Sequence, residues 1–406
     1  MSRKKPRLLL YSHDTFGLGH LRRTLAISHQ LAADLPDAHQ LLLTGSMVAG
    51  AFNLPRQLDL LKLPALSKRS SGRYTARALP LSLAETLRWR ERLLLDALTA
   101  FAPDLVLVDK APAGVQGELL PLLRHVKTWM PGTRLVLGMR DIEDDPATTM
   151  REWAEWDVAR LQTEVYDRIL YYGDPEVFDA AAAYGLSQEA RRKLVACGYL
   201  GRDGEEIDRT TSEVRRELGL RDQPLVVVTA GGGGDGFALL KTIADVIAGW
   251  PGGAPFHALV VTGPLMAAAK RQALRQAQQA SEQLTVLEFT PRLFTYLAAA
   301  DLIIGMAGYN TTVEVLSLGQ RAILIPRTRP RQEQLIRAER LAARGWVRLI
   351  HPDALSADTL AAQISLALAA PRPRVTARLD GLRRASAELI NLLQPERSAE
   401  PNRRPV

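Results

Sequence analysis

Short apolar runs rich in leucine and β-branched residues alternate with stretches of helical periodicity along most of the chain. The runs predict strands at residues 7–13, 40–46, 104–109, 134–140, 168–172, 193–197, 224–230, 256–262, 284–289, 301–305, 321–326 and 346–350. Helices are predicted at residues 19–35, 82–101, 115–130, 148–166, 175–185, 235–250, 265–280, 292–300, 311–319, 331–345, 356–369 and 375–393. Strands that are apolar throughout and alternate with helices are typical of parallel sheets covered on both faces. The pattern therefore predicts an α/β protein.

A polar segment without a strand pattern, residues 201–223, divides the chain. We interpret it as a hinge between a first domain, residues 1–200, and a second domain, residues 224–370. A further helix is predicted within residues 371–393, after Pro371 and Pro373. The polar tail, residues 394–406, is predicted to be disordered.

Composition narrows the class of protein. The 406 residues suffice for two domains, each with a core of its own. A single cysteine excludes an internal disulfide and favours the cytoplasm, and no run is long and apolar enough to span a bilayer.

Lys and Arg exceed Asp and Glu by 52 − 44 = 8, and this excess is spread along the chain without a zinc pattern or a helix-turn-helix signal. We therefore expect an anionic small substrate or an anionic membrane surface rather than nucleic acid. The cation-rich segment 62–80 is either a solvated loop or a mobile loop that faces the acceptor or the inner face of the membrane.

Two glycine-rich turns each follow a predicted strand and open a predicted helix. The first contains Gly17, Gly19 and His20, and the second contains the glycines of 231–234 and Gly236. Such turns bind anions, because glycine allows close approach of the backbone and the free N–H groups at the helix start attract negative charge. The repeated unit predicts two Rossmann-like domains facing one cleft, an arrangement suited to a nucleotide-activated substrate.

His20 stands at the start of its helix, where the helix dipole disfavours the imidazolium ion. A neutral imidazole there can accept the proton of a hydroxyl nucleophile. The alternative is a histidine that caps the helix or packs at the turn. Arg140 and Asp141 end a predicted strand facing the cleft, and either could orient an acceptor or assist His20, unless they form a strand-end salt bridge. The acidic run 141–145 is expected to be solvated, and no metal site is expected.

The second half carries a more specific cluster at the carboxyl edge of its predicted sheet. Phe289 and Thr290 could hold a base, and Glu314 in the pattern Gly308-x-x-Thr311-x-x-Glu314 could accept both ribose hydroxyl groups. Glu333 and Gln334 could bind sugar hydroxyls, and Arg202 could clamp a diphosphate. The alternatives are core packing for Phe289, a capping box for Thr311 and Glu314, and a surface position for Arg202.

Together these positions resemble the MurG-type glycosyltransferases and, more closely, a bacterial subgroup described as predicted glycosyltransferases. The resemblance covers most of residues 7–370 and is strongest in 284–345. The family patterns fall on Gly17, Gly19 and His20, on the loop 231–236, on Arg202, on Gly308, Thr311 and Glu314, and on Glu333, Gln334, Arg337 and Ala338.

The resemblance implies a GT-B fold, with two Rossmann-like domains and a C-terminal helix that crosses back onto the first. It implies an inverting, metal-independent transfer of a hexose or N-acetylhexosamine from a UDP-sugar, the co-substrate, to an acceptor hydroxyl on a lipid, a glycan or a small metabolite. The residues assigned to the donor are Arg202, Gly233, Gly234, Gly236, Phe289, Thr290, Gly308, Thr311, Glu314, Glu333 and Gln334. Gly17, Gly19 and Arg140 are assigned to the acceptor side, and His20, with Asp141 as partner, to catalysis.

Several positions depart from the family pattern and leave the donor sugar open. Gly234 replaces a serine, Glu333 replaces a glutamine, Thr290 replaces an aliphatic residue, and 139–142 replaces a His-Glu-Gln-Asn segment. A UDP-sugar epimerase or hydrolase and a non-catalytic sugar-nucleotide-binding protein therefore remain as alternatives. An NAD-dependent dehydrogenase is disfavoured, because neither glycine loop has the G-x-G-x-x-G pattern followed by an acid.

Overall fold

The computed structural model describes residues 5–13, 19–68, 74–202 and 207–394. Its strands are β1 (Arg7–Ser12), β2 (His39–Thr44), β3 (Leu58–Lys62), β4 (Leu66–Lys68), β5 (Tyr74–Ala76), β6 (Leu105–Asp109), β7 (Arg134–Arg140), β8 (Arg168–Tyr172), β9 (Leu194–Ala196), β10 (Leu225–Thr229), β11 (His257–Val261), β12 (Leu284–Leu287), β13 (Leu302–Gly305), β14 (Ala322–Leu324) and β15 (Arg348–Leu349). The strands form two larger parallel sheets and one antiparallel hairpin, β4–β5.

The first sheet has seven strands in the order β3-β2-β1-β6-β7-β8-β9, and the second has six in the order β12-β11-β10-β13-β14-β15. The central strands β6 and β10 are buried at every residue, which is why they are apolar throughout. In each sheet the strand order reverses beside the first strand of that half, and ligands bind at such a position in open α/β folds. The fold is thus the predicted α/β class, with two Rossmann-like sheets.

The helices are α1 (Gly19–Asp34), α2 (Leu83–Phe101), α3 (Leu120–Trp129), α4 (Pro146–Glu155), α5 (Val158–Arg160), α6 (Ala180–Ala183), α7 (Gln188–Lys193), α8 (Thr211–Glu217), α9 (Phe237–Gly249), α10 (Ala268–Gln279), α11 (Leu293–Ala299), α12 (Tyr309–Leu318), α13 (Glu333–Ala342), α14 (Ala357–Ala369) and α15 (Gly381–Leu393). None of the helices in the described ranges is long and apolar enough to cross a bilayer.

Several predicted elements need correction. The segment 62–80 was predicted without regular structure but contains the strands β4 and β5, and the edge strand β3 was missed because its residues are only partly buried. The predicted helix 148–166 is interrupted at Asp157, whose backbone is left-handed with φ 46°. The polar segment 201–223 contains α8, which a capping box formed by Thr210 and Glu213 stabilises.

The C-terminal helix α15 crosses back and packs against α1 in the N-terminal half. Ala385 and Leu389 of α15 belong to the same buried apolar cluster as Leu21 and Leu25 of α1. The chain leading to α15 runs so close to Gly201 that a Cβ atom there would collide with the carbonyl oxygen of Leu379. Only glycine therefore allows the two segments to approach this closely.

The two halves meet at the carboxyl ends of their sheets through a buried ion pair. Arg337 of α13 donates two hydrogen bonds of 2.7 Å to the carboxylate of Asp141, which follows β7, and neither side chain is exposed. Arg337 also donates to the carbonyl oxygen of Ala307 at 2.7 Å. Tyr309 of α12 adds a hydrogen bond of 2.8 Å to the carbonyl oxygen of Tyr172. The relative position of the sheets thus depends on polar contacts from which water is excluded.

Substitution of Arg337 tests this dependence. Arg337→Met leaves the Asp141 carboxylate buried without a counter-charge, and we expect a loss of about 3–5 kcal/mol in the free energy of unfolding. The measurement is urea denaturation followed by circular dichroism. Lys241→Met, which removes an exposed i,i+4 pair with Asp245, is the control and should cost less than about 0.5 kcal/mol. Equal stability of the two variants would show that the buried pair does not support the fold.

Candidate active site

His20, the second residue of α1, is paired with Asp109 at the end of β6. His20 Nδ1 lies 2.6 Å from Asp109 Oδ2, and the two side chains are 13% and 3% exposed. Arg23 donates to both oxygens of the same carboxylate, at 3.2 and 2.8 Å. Burial alone would raise the pKa of Asp109, but Arg23 and His20 hold that pKa well below its usual range. The ionised carboxylate accepts a hydrogen bond from the Nδ1–H group of His20. The lone pair of the neutral ring is then on Nε2, which points away from Asp109.

The imidazole of His20 is neutral over most of the pH range. Burial lowers its pKa to about 4, although the hydrogen bond and charge of Asp109 act in the opposite direction. The neutral form was predicted from the helix dipole, whereas burial is the main cause here. A neutral histidine held by a carboxylate is suited to accept a proton.

Asp141, the predicted partner of His20, does not contact it. Its carboxylate is occupied by Arg337 of the opposite half. The partner is Asp109 because β6 pairs directly with β1, the strand that precedes α1 in the chain, whereas Asp141 follows the next strand along the sheet. An acid closing the apolar strand 105–109 was the sequence signal for this role. Gly17 lies outside the described residues.

The cation Lys110 lies near His20 in the N-terminal half, close enough for its charge to lower the pKa of the imidazole. Lys110, directly after Asp109, has a left-handed backbone with φ 67°, and its Nζ lies 3.2 Å from Glu143 Oε2. Arg140 donates to the carbonyl oxygen of Glu143 at 3.0 Å. Burial and the nearby charge of Arg140 lower the pKa of Lys110 to about 8. Lys110 and Arg140 therefore place two cations beside one carboxylate.

The acidic run 141–145 is not solvated as predicted. Three acids of the run are buried, namely Asp141, Glu143 and Asp144. Each can be buried because it forms an ion pair with a cation. The cations are Arg337 for Asp141, Lys110 for Glu143 and Arg331 for Asp144. Arg331 Nη2 also donates a hydrogen bond of 2.7 Å to Glu152 Oε1. Within the described ranges no group of His, Cys, Asp and Glu is arranged to hold a metal ion.

The second glycine turn connects β10 to α9. Gly231 and Gly233 have left-handed backbones with φ 61° and 89°, and a Cβ atom on Gly233 would collide with the carbonyl oxygen of Thr262. Gly236 is the N-cap of α9, and Gly234 lies between them in an exposed part of the turn. The turn therefore brings backbone N–H groups and a helix start to the carboxyl edge of the second sheet.

Glu314 lies on α12 and is 2% exposed, and two arginines reach its Oε1. Arg22 of α1 contacts Oε1 from the N-terminal half, and Arg202 Nη1 lies 3.0 Å away. Glu314 Oε2 is buried and has no hydrogen-bond partner in the described part of the chain.

Two alternative interpretations are wrong: a capping box for Thr311 and Glu314, and an unpaired surface position for Arg202. The N-cap of α12 is Gly308, so Thr311 and Glu314 do not form a capping box. Arg202 is not a free surface residue, because it pairs with Glu314 and its guanidinium lies over the Phe294 ring at 4.8 Å.

The remaining residues predicted to bind the donor follow β12 or begin α13. Phe289 is 43% exposed, so the core-packing alternative is wrong, and Thr290 accepts the Arg292 N–H at 3.1 Å. Glu333 begins α13 and accepts from Arg327 Nη2 at 2.6 Å, while Gln334 accepts the Arg327 N–H at 3.2 Å. Burial alone would raise the pKa of Glu333, but the charges of Arg140 and Arg327 lower this pKa to about 2.

The structure thus brings His20, Glu314 and Arg202 to the junction of α1 and α12, where Asn310 Nδ2 lies 3.5 Å from the carbonyl oxygen of Gly19. Sequence reasoning missed Asp109 and Arg22. The acid that ends the apolar strand 105–109 could have indicated Asp109, but no local pattern indicates that Arg22 reaches across to Glu314.

Comparisons with known proteins agree with this geometry. The model of the glycosyltransferase family 28 C-terminal domain matches residues 225–382. A UDP-N-acetylglucosamine–N-acetylmuramyl-(pentapeptide) pyrophosphoryl-undecaprenol N-acetylglucosamine transferase of Alkaliphilus metalliredigens is 26% identical over 227 residues, which are 53% of this chain and 60% of that protein. The transferase of the same name from Moorella thermoacetica is 30% identical over 141 residues, 34% of this chain and 37% of that protein. The matched segments therefore span less than two thirds of these relatives.

Solved structures resemble the chain over almost its whole length. MurG of Acinetobacter baumannii aligns with a TM-score of 0.56 and 16% identity over 96% of this chain and 99% of that one. The glycotransferase of kitacinnamycin aligns with a TM-score of 0.61 and 17% identity over 97% and 100%. At these identities the likeness establishes the fold, and the family model adds the C-terminal domain. The chain therefore has the GT-B fold, and its residues 225–382 match the model of the glycosyltransferase family 28 C-terminal domain.

Proposed function

We propose that this protein is an inverting, metal-independent glycosyltransferase that moves a hexose or N-acetylhexosamine from a UDP-sugar to an acceptor hydroxyl. The observation that carries the proposal is the His20–Asp109 pair at the junction of α1 and α12, with Glu314 on α12 of the opposite half. The names of its MurG-like relatives, which are N-acetylglucosamine transferases, support the same class of reaction.

His20 Nε2 accepts the proton of the acceptor hydroxyl as its oxygen attacks the anomeric carbon of the donor. The bond from that carbon to the diphosphate breaks, UDP leaves with the bonding electrons, and direct displacement inverts the anomeric configuration. Asp109 stabilises the imidazolium that forms, because its carboxylate remains ionised beside Arg23. Arg202, the start of α12 and the amides of the second glycine turn stabilise the charge of UDP without a metal ion.

The donor contacts follow from the groups at the edge of the second sheet. The exposed ring of Phe289 offers a stacking surface for the base, with Thr290 beside it. The buried Oε2 atom of Glu314, which has no partner in the described residues, is suited to accept ribose hydroxyls. Glu333 Oε2 is also buried without a partner there, and with Gln334 it is placed to receive hydroxyls of the sugar.

The acceptor is a lipid, a glycan end or a small metabolite on the side of Lys110 and Arg140.

We further propose that the protein contacts an anionic membrane surface from the cytoplasm. Leu79 and Trp89 beside the hairpin β4–β5 are 47% and 45% exposed, and Arg88 and Arg92 on α2 are exposed beside Trp89. Apolar side chains flanked by arginines favour an anionic interface. Co-sedimentation with vesicles tests this contact, and binding that is equal with neutral and anionic lipid would contradict it.

Nucleotide binding is the first test of the donor site. UDP should raise the melting temperature of the wild type, because ligand at 100 times its Kd adds about 2.7 kcal/mol to the stability. Glu314→Gln should weaken UDP binding at least about tenfold in calorimetry, since the ribose hydroxyls lose an ionised acceptor. The control is Glu339→Gln on the exposed side of α13. A folded wild type that binds no uridine nucleotide would refute the donor assignment.

Removal of the proposed base separates catalysis from binding. His20→Gln should lower the rate of transfer, measured as UDP release in the presence of an acceptor extract, about 10²–10⁴-fold, with the Kd for UDP nearly unchanged. His29→Gln, at an exposed site of the same helix, is the control. Loss of UDP binding in His20→Gln would instead assign His20 to the donor site, and full UDP release without any acceptor would favour a hydrolase.

The pH profile tests the state of His20. Because burial lowers its pKa to about 4, the neutral form persists as the pH falls below 6.5 and is lost only near pH 4. The acid limb of kcat/KM for UDP release should therefore have its midpoint near 4 in buffers of constant ionic strength. A midpoint near 6.5 would show that an unperturbed histidine is the base.

A further inference from the structure

Arg140 and Glu333 approach each other from opposite halves of the protein. Arg140 ends β7, and the next residue, Asp141, accepts two hydrogen bonds of 2.7 Å from Arg337, which lies one helical turn after Glu333 on α13. Asp144 Oδ1 accepts the backbone N–H group of the residue before Glu333, also at 2.7 Å. These two contacts between the halves hold the end of β7 against the start of α13.

Each of the two side chains has a buried polar atom without a hydrogen-bond partner. Arg140 Nη2 donates to the carbonyl oxygen of Glu143 at 3.0 Å, but Arg140 Nε is buried and makes no hydrogen bond with any described residue. Glu333, whose side chain is 3% exposed, accepts from Arg327 on Oε1, while its Oε2 is buried without a partner among the same residues. Because an unsatisfied buried polar atom costs free energy, both atoms are candidates for contact with a ligand.

The charges of Arg140 and Glu333 act on each other across the cleft. Burial alone would raise the pKa of Glu333, and the charge of Arg140 is the strongest influence in the opposite direction. Burial lowers the pKa of Arg140, which the charges of Glu143 and Glu333 partly offset. In the described part of the chain, however, the ion pair of Glu333 is with Arg327. Arg140 and Glu333 are therefore near one another without direct contact.

The chemistry of the two unpartnered atoms specifies what can bridge them. The Nε–H group of Arg140 can only donate a hydrogen bond. The carboxylate of Glu333 can only accept, because its pKa of about 2 keeps it ionised. A group between them must donate and accept at one atom, and in a nucleotide-sugar a hydroxyl group does both.

The neighbours of Arg140 and Glu333 relate this position to the proposed reaction. Arg327 joins Glu333 to the second glycine turn, with Nη1 3.0 Å from Asp235 Oδ2. On the other side, burial and the charge of Arg140 lower the pKa of Lys110, which directly follows the acid of the proposed catalytic pair. The transferred sugar of a donor lies between its diphosphate and the base that activates the acceptor, and Arg140 and Glu333 stand in that interval.

We propose that Arg140 and Glu333 bind the same hydroxyl group of the transferred sugar, which donates its hydrogen to Glu333 Oε2 and accepts the Nε–H group of Arg140. This inference rests on the proposed function and adds a contact to the donor from the N-terminal half. A UDP-sugar without a free hydroxyl at that position leaves two buried polar atoms unsatisfied. The protein therefore selects against sugars that are deoxygenated or O-methylated there.

Comparison of UDP-sugars with UDP isolates this contact, because UDP has no sugar. Calorimetry gives the dissociation constants of UDP, UDP-glucose and UDP-N-acetylglucosamine for the wild type, Arg140→Gln, Glu333→Gln and the double variant. Arg160→Gln and Glu339→Gln, at exposed positions of the two halves, are the controls. Melting temperatures without ligand verify the fold. Arg140→Lys, which keeps the charge but lacks the Nε–H group, replaces Arg140→Gln if that variant is unstable.

We expect Arg140→Gln and Glu333→Gln each to bind the preferred UDP-sugar about tenfold more weakly, with the Kd for UDP within about twofold of the wild type. The double variant should lose little more than either single variant, because both residues bind one hydroxyl. The two controls should match the wild type.

Analogues of the tighter-binding UDP-sugar that each lack one hydroxyl identify the group. One analogue should bind the wild type about tenfold more weakly than its parent, and Arg140→Gln should bind that analogue as the wild type does.

The outcomes separate this inference from the proposed function. UDP-sugar affinity that is unchanged in Arg140→Gln, that falls only in step with UDP affinity, or that falls additively in the double variant would overturn the shared hydroxyl. A wild type that binds UDP but neither UDP-sugar would also overturn it. A folded wild type that binds none of the three compounds would refute the proposed function.

Discussion

The ion pair between Asp141 and Arg337 determines how the two halves of this protein meet. Each sheet directs the carboxyl ends of its strands towards the other, so polar residues at the strand ends face one another where little water enters. A carboxylate in such a place is stable only with a cation that forms well-aligned hydrogen bonds. Arg337 supplies both oxygens of Asp141 with a donor at 2.7 Å, and neither side chain is exposed.

The candidate site obeys the same electrostatic constraint. Asp109 is neutralised by Arg23, and Asp144 by Arg331, so both buried carboxylates have fixed arginine partners. The carboxylate of Glu314, which Arg22 and Arg202 contact through Oε1, differs because its buried Oε2 has no hydrogen-bond partner among the described residues. The fully hydrogen-bonded acids support the structure, whereas Glu314 Oε2 and the neutral His20 have hydrogen-bonding capacity left for a ligand. The chemistry proposed for the cleft follows from this difference.

The sequence predicted what depends on local pattern. Apolar strands such as 105–109 and 225–229 and the second glycine turn were recognisable because burial and left-handed backbone restrict the residue types allowed. The half-buried strand β3 and the hairpin β4–β5 escaped prediction because their residues follow no clean periodicity.

The site residues missed by sequence reasoning depend on contacts distant in the chain. His20 and Asp109 are 89 residues apart, and Arg22 and Glu314 are 292 apart. Whether Asp109 or Asp141 contacts His20 depends on which strand pairs with β1, and that order is a property of the sheet rather than of any segment. The acidic run 141–145 resembled a solvated loop because its arginine partners on and before α13 are nearly two hundred residues away.

The packing of α15 against α1 affects the stage of synthesis at which the N-terminal half can complete its core. Leu21 and Leu25 near the beginning share a buried cluster with Ala385 and Leu389 near the end of the described chain. Ser386 donates a hydrogen bond of 2.6 Å to Asp34, which closes α1. The N-terminal part of a chain emerges from the ribosome first, so α1 is exposed long before α15, the helix that covers it, has been synthesised. The N-terminal half is therefore complete only after α15 has been translated, and no contiguous stretch of coding sequence that stops before α15 encodes its whole core.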